Sequence, residues 1–182
     1  MKKGFLKAIT ENNSVLLVSK AGSLQHAFHE VLKEVAKKPV IQILLTRPYN
    51  VILKELKIEN IHKNNIFFVD CCTIFAGEPT VNNDNVFFVK EPDDLTGISI
   101  IIEQFLSSID GEKYLVIDAL RLFSIFNDEE ILMRFVSSLL KIAAENNTKT
   151  IVLTTKEKHR DLINKISPFF ESVVESETSA NS

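Results

Sequence analysis

The chain has no tryptophan, only five glycines and only two cysteines in 182 residues. Each shortage excludes something. Five glycines leave little from which to build a glycine-rich loop. The two cysteines, adjacent at Cys71 and Cys72, are too few for a disulfide framework and fit a reducing cytoplasm. No run approaches the ~18 apolar residues of a membrane span. Met1-Lys2-Lys3 is followed by Gly4-Phe5-Leu6-Lys7, where charge breaks the short apolar stretch, so no secretory leader is expected. A basic excess is lacking too. The formal net charge is -3 and the sequence pI about 5.8, opposite to the footprint of a duplex-binding protein, so nucleic acid is an unexpected partner.

What is present is a well-supplied core: 45% of the residues are hydrophobic and 25% charged, enough for one domain of this length. Short β-branched and aliphatic runs predict strands at 14–18, 40–45, 66–70, 86–89, 113–118, 149–153 and 169–174. Between them, apolar residues at helical spacing predict helices over 24–37, 48–58, 94–109, 128–143 and 160–166. Residues 1–13 read as a polar lead-in with a helical turn at 5–9. Ser23 and Asp93 or Asp94 stand at N-cap positions, and Pro48 suits a first helical turn. Strands alternating with helices predict α/β architecture: a three-layer αβα sandwich around a mostly parallel central sheet. The expected organisation is one domain over residues 1–174 and a flexible polar tail over 175–182.

In open α/β sheets, ligands bind outside the carboxyl ends of the strands. The residues there are therefore the candidates. The run Tyr114-Leu115-Val116-Ile117 ends at Asp118, where a Walker B aspartate would hold Mg²⁺ through water. Asp70 closes an earlier strand in the same way. The first strand–turn–helix reads Ser19-Lys20-Ala21-Gly22-Ser23, whereas a phosphate-binding loop carries G-x-x-x-x-G-K-[ST]. One glycine remains, and Lys20 precedes it. Lys20, Gly22 and Ser23 stay candidate anion contacts through the free amides of the following helix. Thr46-Arg47-Pro48-Tyr49 is the most polar strand exit, and an exposed Arg47 and Tyr49 there suit a carboxylate or phosphate. The alternative is a surface arginine with a tyrosine packed on its helix. Cys71-Cys72 reads as buried thiols rather than a redox or metal pair. His26 and His29 read as solvated histidines on one helical face, with no third metal ligand in view.

The order of these segments resembles the core of the RecA/KaiC-like P-loop ATPases, in particular compact archaeal KaiC-like proteins. The resemblance runs over residues 14–174. It rests on Leu45-Thr46-Arg47-Pro48-Tyr49, Ile66-Phe67-Phe68-Val69-Asp70-Cys71, Glu91-Pro92-Asp93-Asp94-Leu95-Thr96 and the Walker-B-like Leu115-Val116-Ile117-Asp118-Ala119-Leu120. It implies a RecA-like sheet, and it implies a Walker A motif that has degenerated: the nucleotide-binding lysine and its following Thr/Ser have no counterpart near Gly22. The family's catalytic glutamate is matched by Thr46 or Arg47, and Asp118 alone carries over. Loss of cradle and base together argues against ATP hydrolysis. The expectation is a pseudo-ATPase with no cofactor and no catalytic residues, acting through a protein partner or self-association. Two alternatives remain. One is weak binding or hydrolysis of ATP/Mg using Asp118, with Lys20 or Arg47 replacing the lost lysine. The other is a nucleic-acid-associated, recombinase-like accessory protein.

Overall fold

The computed structural model describes residues 3–156 and 160–175. Seven strands form one sheet: β1 (Ser14–Ser19), β2 (Val40–Leu44), β3 (Ile66–Asp70), β4 (Val86–Phe88), β5 (Lys113–Ile117), β6 (Thr148–Thr155) and β7 (Ser172–Glu175). Their spatial order is β4-β3-β2-β5-β6-β1-β7. Every pairing is parallel, which is stricter than the mostly parallel sheet expected. Among the described residues six α-helices cover it: α1 (Lys3–Glu11), α2 (Leu24–Val35), α3 (Tyr49–Ile58), α4 (Leu95–Ser108), α5 (Glu129–Glu145) and α6 (Arg160–Ile166).

The side-chain alternation of the strands divides the core in two. Leu16, Val18, Ile41, Ile43, Leu115 and Ile117 point to the face covered by α4, α5 and α6. Leu17, Val40, Leu44, Val116, Ile151 and Leu153 point to the other, with Phe28, Val31 and Leu32 of α2 and Ile52 and Leu56 of α3. The inner strands β1, β2, β5 and β6 are buried on both faces, as runs without polar alternation require. Each fully buried Leu or Ile contributes roughly 1.5–3 kcal/mol over its exposed state.

Several boundaries differ from expectation. The polar lead-in is a helix, α1, whose Phe5 and Ile9 lie in the core. Residues Leu120–Ile125 form a 3-10 helix that buries Leu120 and Phe123. The last strand starts later than expected because Ser167–Phe169, holding Pro168, is another 3-10 turn. Glu175 belongs to β7, so the expected tail begins one residue early; residues 176–182 lie outside the described residues.

Parallel pairing puts the carboxyl ends of β1, β2, β5 and β6 along one edge. Ser19 is level with Thr155, and Ile43 with Ile117. The turns that leave these ends carry the candidate residues.

Candidate functional site

At the β1 exit the chain makes a single 3-10 turn, Ala21–Ser23, and enters α2 directly. The Ser23 amide donates to the Lys20 carbonyl at 2.9 Å, closing the turn. Gly22 does not use the freedom of glycine: its φ is not positive, and a Cβ there would point into open space. Ser23 occupies the N-cap position of α2 as expected, but its side chain makes no capping hydrogen bond.

Asp118 lies just past the end of β5, almost wholly buried. The Leu45 amide donates to its Oδ1 at 3.0 Å. The Thr46 hydroxyl donates to its Oδ2 at 2.6 Å, with the Thr46 amide at 3.4 Å. Both oxygens thus hold the β2 exit. Burial pushes the Asp118 carboxyl up to about 6, against the pull of the Thr46 and Leu45 donors and the Arg47 charge.

Arg47 leans away from the sheet edge. Its Nη1 donates to Glu55 Oε2 at 2.5 Å, and its guanidinium carbon lies 5.5 Å from the centroid of the Phe28 ring. His29 shares the same Glu55 oxygen through Nε2 at 3.1 Å and approaches Glu59 through Nδ1 at 3.7 Å. Lys33 continues the chain to Glu59 at 2.8 Å. His29 is therefore buried in the seam between α2 and α3, not solvated on the surface with the exposed His26. The reading of histidine spacing alone overlooked the facing pair. His29 and Lys33 stand four apart on α2, opposite Glu55 of α3 and Glu59 at its C-cap, also four apart.

Tyr49 is packed rather than exposed, as the alternative reading of this strand exit had it. It is buried, edge-on to Phe68 at 5.1 Å and to Phe88 at 6.1 Å, and its hydroxyl accepts from Asn83 Nδ2 at 3.2 Å. Its amide donates to Asp70 Oδ2 at 2.7 Å, so Asp70 caps α3 from the neighbouring strand. Asp70 also takes the Cys72 and Thr73 amides on Oδ1 and the Thr73 hydroxyl on Oδ2. Cys71 is buried and Cys72 half-buried. Burial raises both thiols, Cys72 to about 11, which disfavours the nucleophilic thiolate. Among the described residues no three His, Cys, Asp or Glu side chains converge on a metal site.

Of the five candidates, Arg47 and Asp118 line one cleft, with Ala21, Gln25, Phe28 and Thr46. Lys20, Gly22 and Ser23 do not line it. The cleft is about 170 Å³, below the ~300–1,000 Å³ of typical small-molecule sites. Beside it, the β3 and β5 exits build an apolar groove that sequence reasoning missed, lined by Leu45, Cys72, Phe75, Pro92, Ile125 and Phe126 among others. Phe75 is 61% exposed, Ile125 69% and Phe126 40%, and the two phenyl rings meet edge to face at 5.2 Å.

A family model matches residues 9–181, described as a family of unknown function, DUF7090. The chain belongs to that family. A comparison of the DUF7090 chain with curated proteins finds no match. Solved structures similar to it include a KaiC-like protein from the hyperthermophilic archaeon Pyrococcus horikoshii OT3. The TM-score is 0.61 at 16% identity, over 93% of this chain and 74% of that one. An uncharacterized protein from Pyrococcus horikoshii, in complex with an unknown peptide, gives 0.68 at 11% identity, over 93% and 80%. At these identities the likeness establishes the fold alone: this chain is a RecA/KaiC-like three-layer sandwich. Among the described residues no helix is long and apolar enough to cross a membrane.

Proposed function

We propose that this DUF7090 domain is a non-catalytic KaiC/RecA-like module that acts through protein–protein association, its first partner a second copy, in a role suited to regulating an active ATPase. The observation that carries this reading is the β1 exit. A phosphate cradle needs consecutive amides turned inward around an anion. Here the chain closes on itself, with the Ser23 amide given to Lys20, and runs straight into α2. Asp118 supports it. A carboxylate that accepts from Leu45 and Thr46 and is pushed towards its neutral form by burial is a poor magnesium ligand. The degenerate Walker A motif is thus a turn, and Asp118 a clasp on the neighbouring strand.

Association is supported by the groove of Phe75, Ile125 and Phe126 at the same edge. Exposed aromatic anchors over an apolar pocket are typical of interface centres. The Pyrococcus structure that holds an unknown peptide offers a parallel on a similar fold. The test is size-exclusion chromatography with light scattering. The expected result is more than one copy per particle at high concentration, reduced to one by Phe75→Ser with Phe126→Ser. A monomer at high concentration refutes self-association.

A second reading, Mg-nucleotide binding through Asp118, is favoured by the cleft that brings Arg47 and Asp118 together. Calorimetry with ATP and Mg²⁺ separates the two readings. The first expects no heat of binding. Heat that Asp118→Ala abolishes establishes the second.

A further inference from the structure

The opposite edge of the sheet carries a separate surface. There the C-terminal ends of α2 and α3 meet the connection from α3 to β3. That connection stands as a ridge between two open depressions of about 520 and 570 Å³, which share Asn60, Ile61, His62 and Asn64 as lining. The ridge is built rigidly. Asn60 takes the left-handed conformation at φ 56°, which asparagine tolerates, and the Ile61 amide closes back on the Leu56 carbonyl at 2.8 Å. Asn65 Nδ2 donates to the Ala36 carbonyl at 3.2 Å, fixing the ridge to the end of α2. Buried Ile61 anchors it from below, while the Asn60, His62 and Asn64 side chains remain exposed.

The charge around the ridge is of one sign. Lys57 and Lys63 line the first depression, Lys33 and Lys37 the second, and no carboxylate lines either. Lys33 is paired with Glu59 and Glu30 at 2.8 and 3.3 Å and Lys37 with Glu34 at 3.5 Å, so the excess positive charge at the ridge is that of Lys57 and Lys63. Among the described residues neither Lys57 nor Lys63 is held in an ion pair. Lys57 complements the α3 dipole from its last turn. Lys63 lies beyond that turn and has no such role.

We infer that this ridge and its two lysine-rimmed depressions form a docking site for an extended acidic peptide segment of a partner protein. Lys57 and Lys63 would meet its carboxylates, Asn60 and Asn64 its backbone, and the Leu53, Leu56 and Ile61 floor its aliphatic side chains. The chemistry favours peptide over nucleic acid. No Phe or Tyr lines either depression, and the single imidazole of His62 gives successive bases no run of rings to stack on. An aliphatic floor with side-chain amides suits a polypeptide. The inference rests on the reading of the domain as an association module, but it uses an edge remote from Phe75 and Phe126.

The probe is a fluorescein-labelled eight-residue peptide of glutamate and leucine in equal numbers, read by anisotropy and by amide shifts in a ¹⁵N spectrum. Binding should weaken with salt, shift the Asn60–Asn65 amides, and fall at least about tenfold in Lys57→Glu with Lys63→Glu. Both lysines are exposed, so the variant keeps its fold, which circular dichroism checks. The inference is overturned by no binding, by binding that ignores the double reversal, or by an oligo-dT strand that binds in preference to the peptide. Self-association lost in the Phe75/Phe126 variant but intact in the lysine variant separates failure here from failure of the association reading.

Discussion

The Asp118 clasp makes a quantitative prediction of unusual sign. Acids that are salt-bridged or hydrogen-bonded in the folded state usually gain stability from ionisation through their partners. At Asp118 burial outweighs them, and the carboxyl rises from an ordinary 3.8 to about 6. The folded state then holds its proton through a pH range in which the unfolded chain has released it. Stability at this site is highest below the unfolded value and falls as pH rises towards the folded one. The full effect is about 3 kcal/mol, at 1.36 kcal/mol for each pH unit of displacement. About 2 kcal/mol of it falls between about pH 4 and pH 7. Asp118→Asn removes the titration but keeps an oxygen for the Leu45 amide, and the Thr46 hydroxyl can turn to accept from the new amide. Urea unfolding of both proteins over this range should show the variant gaining about 2 kcal/mol on wild type as pH rises, about 1 M in midpoint. All other titrating groups are common to the pair and cancel in the difference. A difference that stays flat with pH, or one in which wild type gains as pH rises, refutes the claim that the buried carboxyl sits towards its neutral form. It would then show that the Leu45 and Thr46 donors outweigh burial at Asp118.

Two further predictions test the frame that holds this edge. Phe5→Ala should cost about 3–5 kcal/mol in the same unfolding assay, because Phe5 is buried where α1 packs on the sheet; a change below about 0.5 kcal/mol would make residues 3–11 the lead-in that their polarity suggests. Gly97→Ala should destabilise by about 1 kcal/mol despite the better helix propensity of alanine. The new Cβ would lie 2.3 Å from Asp94 Oδ2 and displace the carboxylate that caps α4 by accepting from the Gly97 amide at 2.8 Å; a stabilised variant would show that the cap contributes nothing.

The sheet was legible because its strands are buried on both faces and so read as uninterrupted apolar runs. The Ile66–Asp70 run was placed to the residue, and the other inner strands to within one or two. Asp94 announced the start of α4 because a cap is a local device, and local devices leave local patterns. Helix α1 was less legible. Phe5 and Ile9 are its only fully buried apolar residues, with Leu6 packed beside them, and a stripe that thin is hard to tell from scattered apolar residues. The site divides the same way. That Asp118 stands at the carboxyl end of a central strand follows from the pattern of residues 113–118. What it does there is decided by Leu45 and Thr46, 73 and 72 positions away, which no local spacing encodes. The same holds for Arg47, drawn to Glu55 on the helix that follows it, and for His29, caught between α2 and α3.

An acid at a strand end is thus ambiguous in sequence between ligand and clasp, and the proposed reading of Asp118 as a clasp rests on its hydrogen-bond partners. A magnesium-binding carboxylate must keep an oxygen open to water. A clasp gives both oxygens to donors that would otherwise be left unpaired as the chain leaves the sheet. Asp70 shows the second pattern in full, with Tyr49, Cys72 and Thr73 all donating to it. Asp118 repeats it on the other side of β2, with Leu45 and Thr46. Two acids at the ends of the strands that flank β2, used alike to bind the turns that leave the sheet, describe an edge organised to hold its own shape.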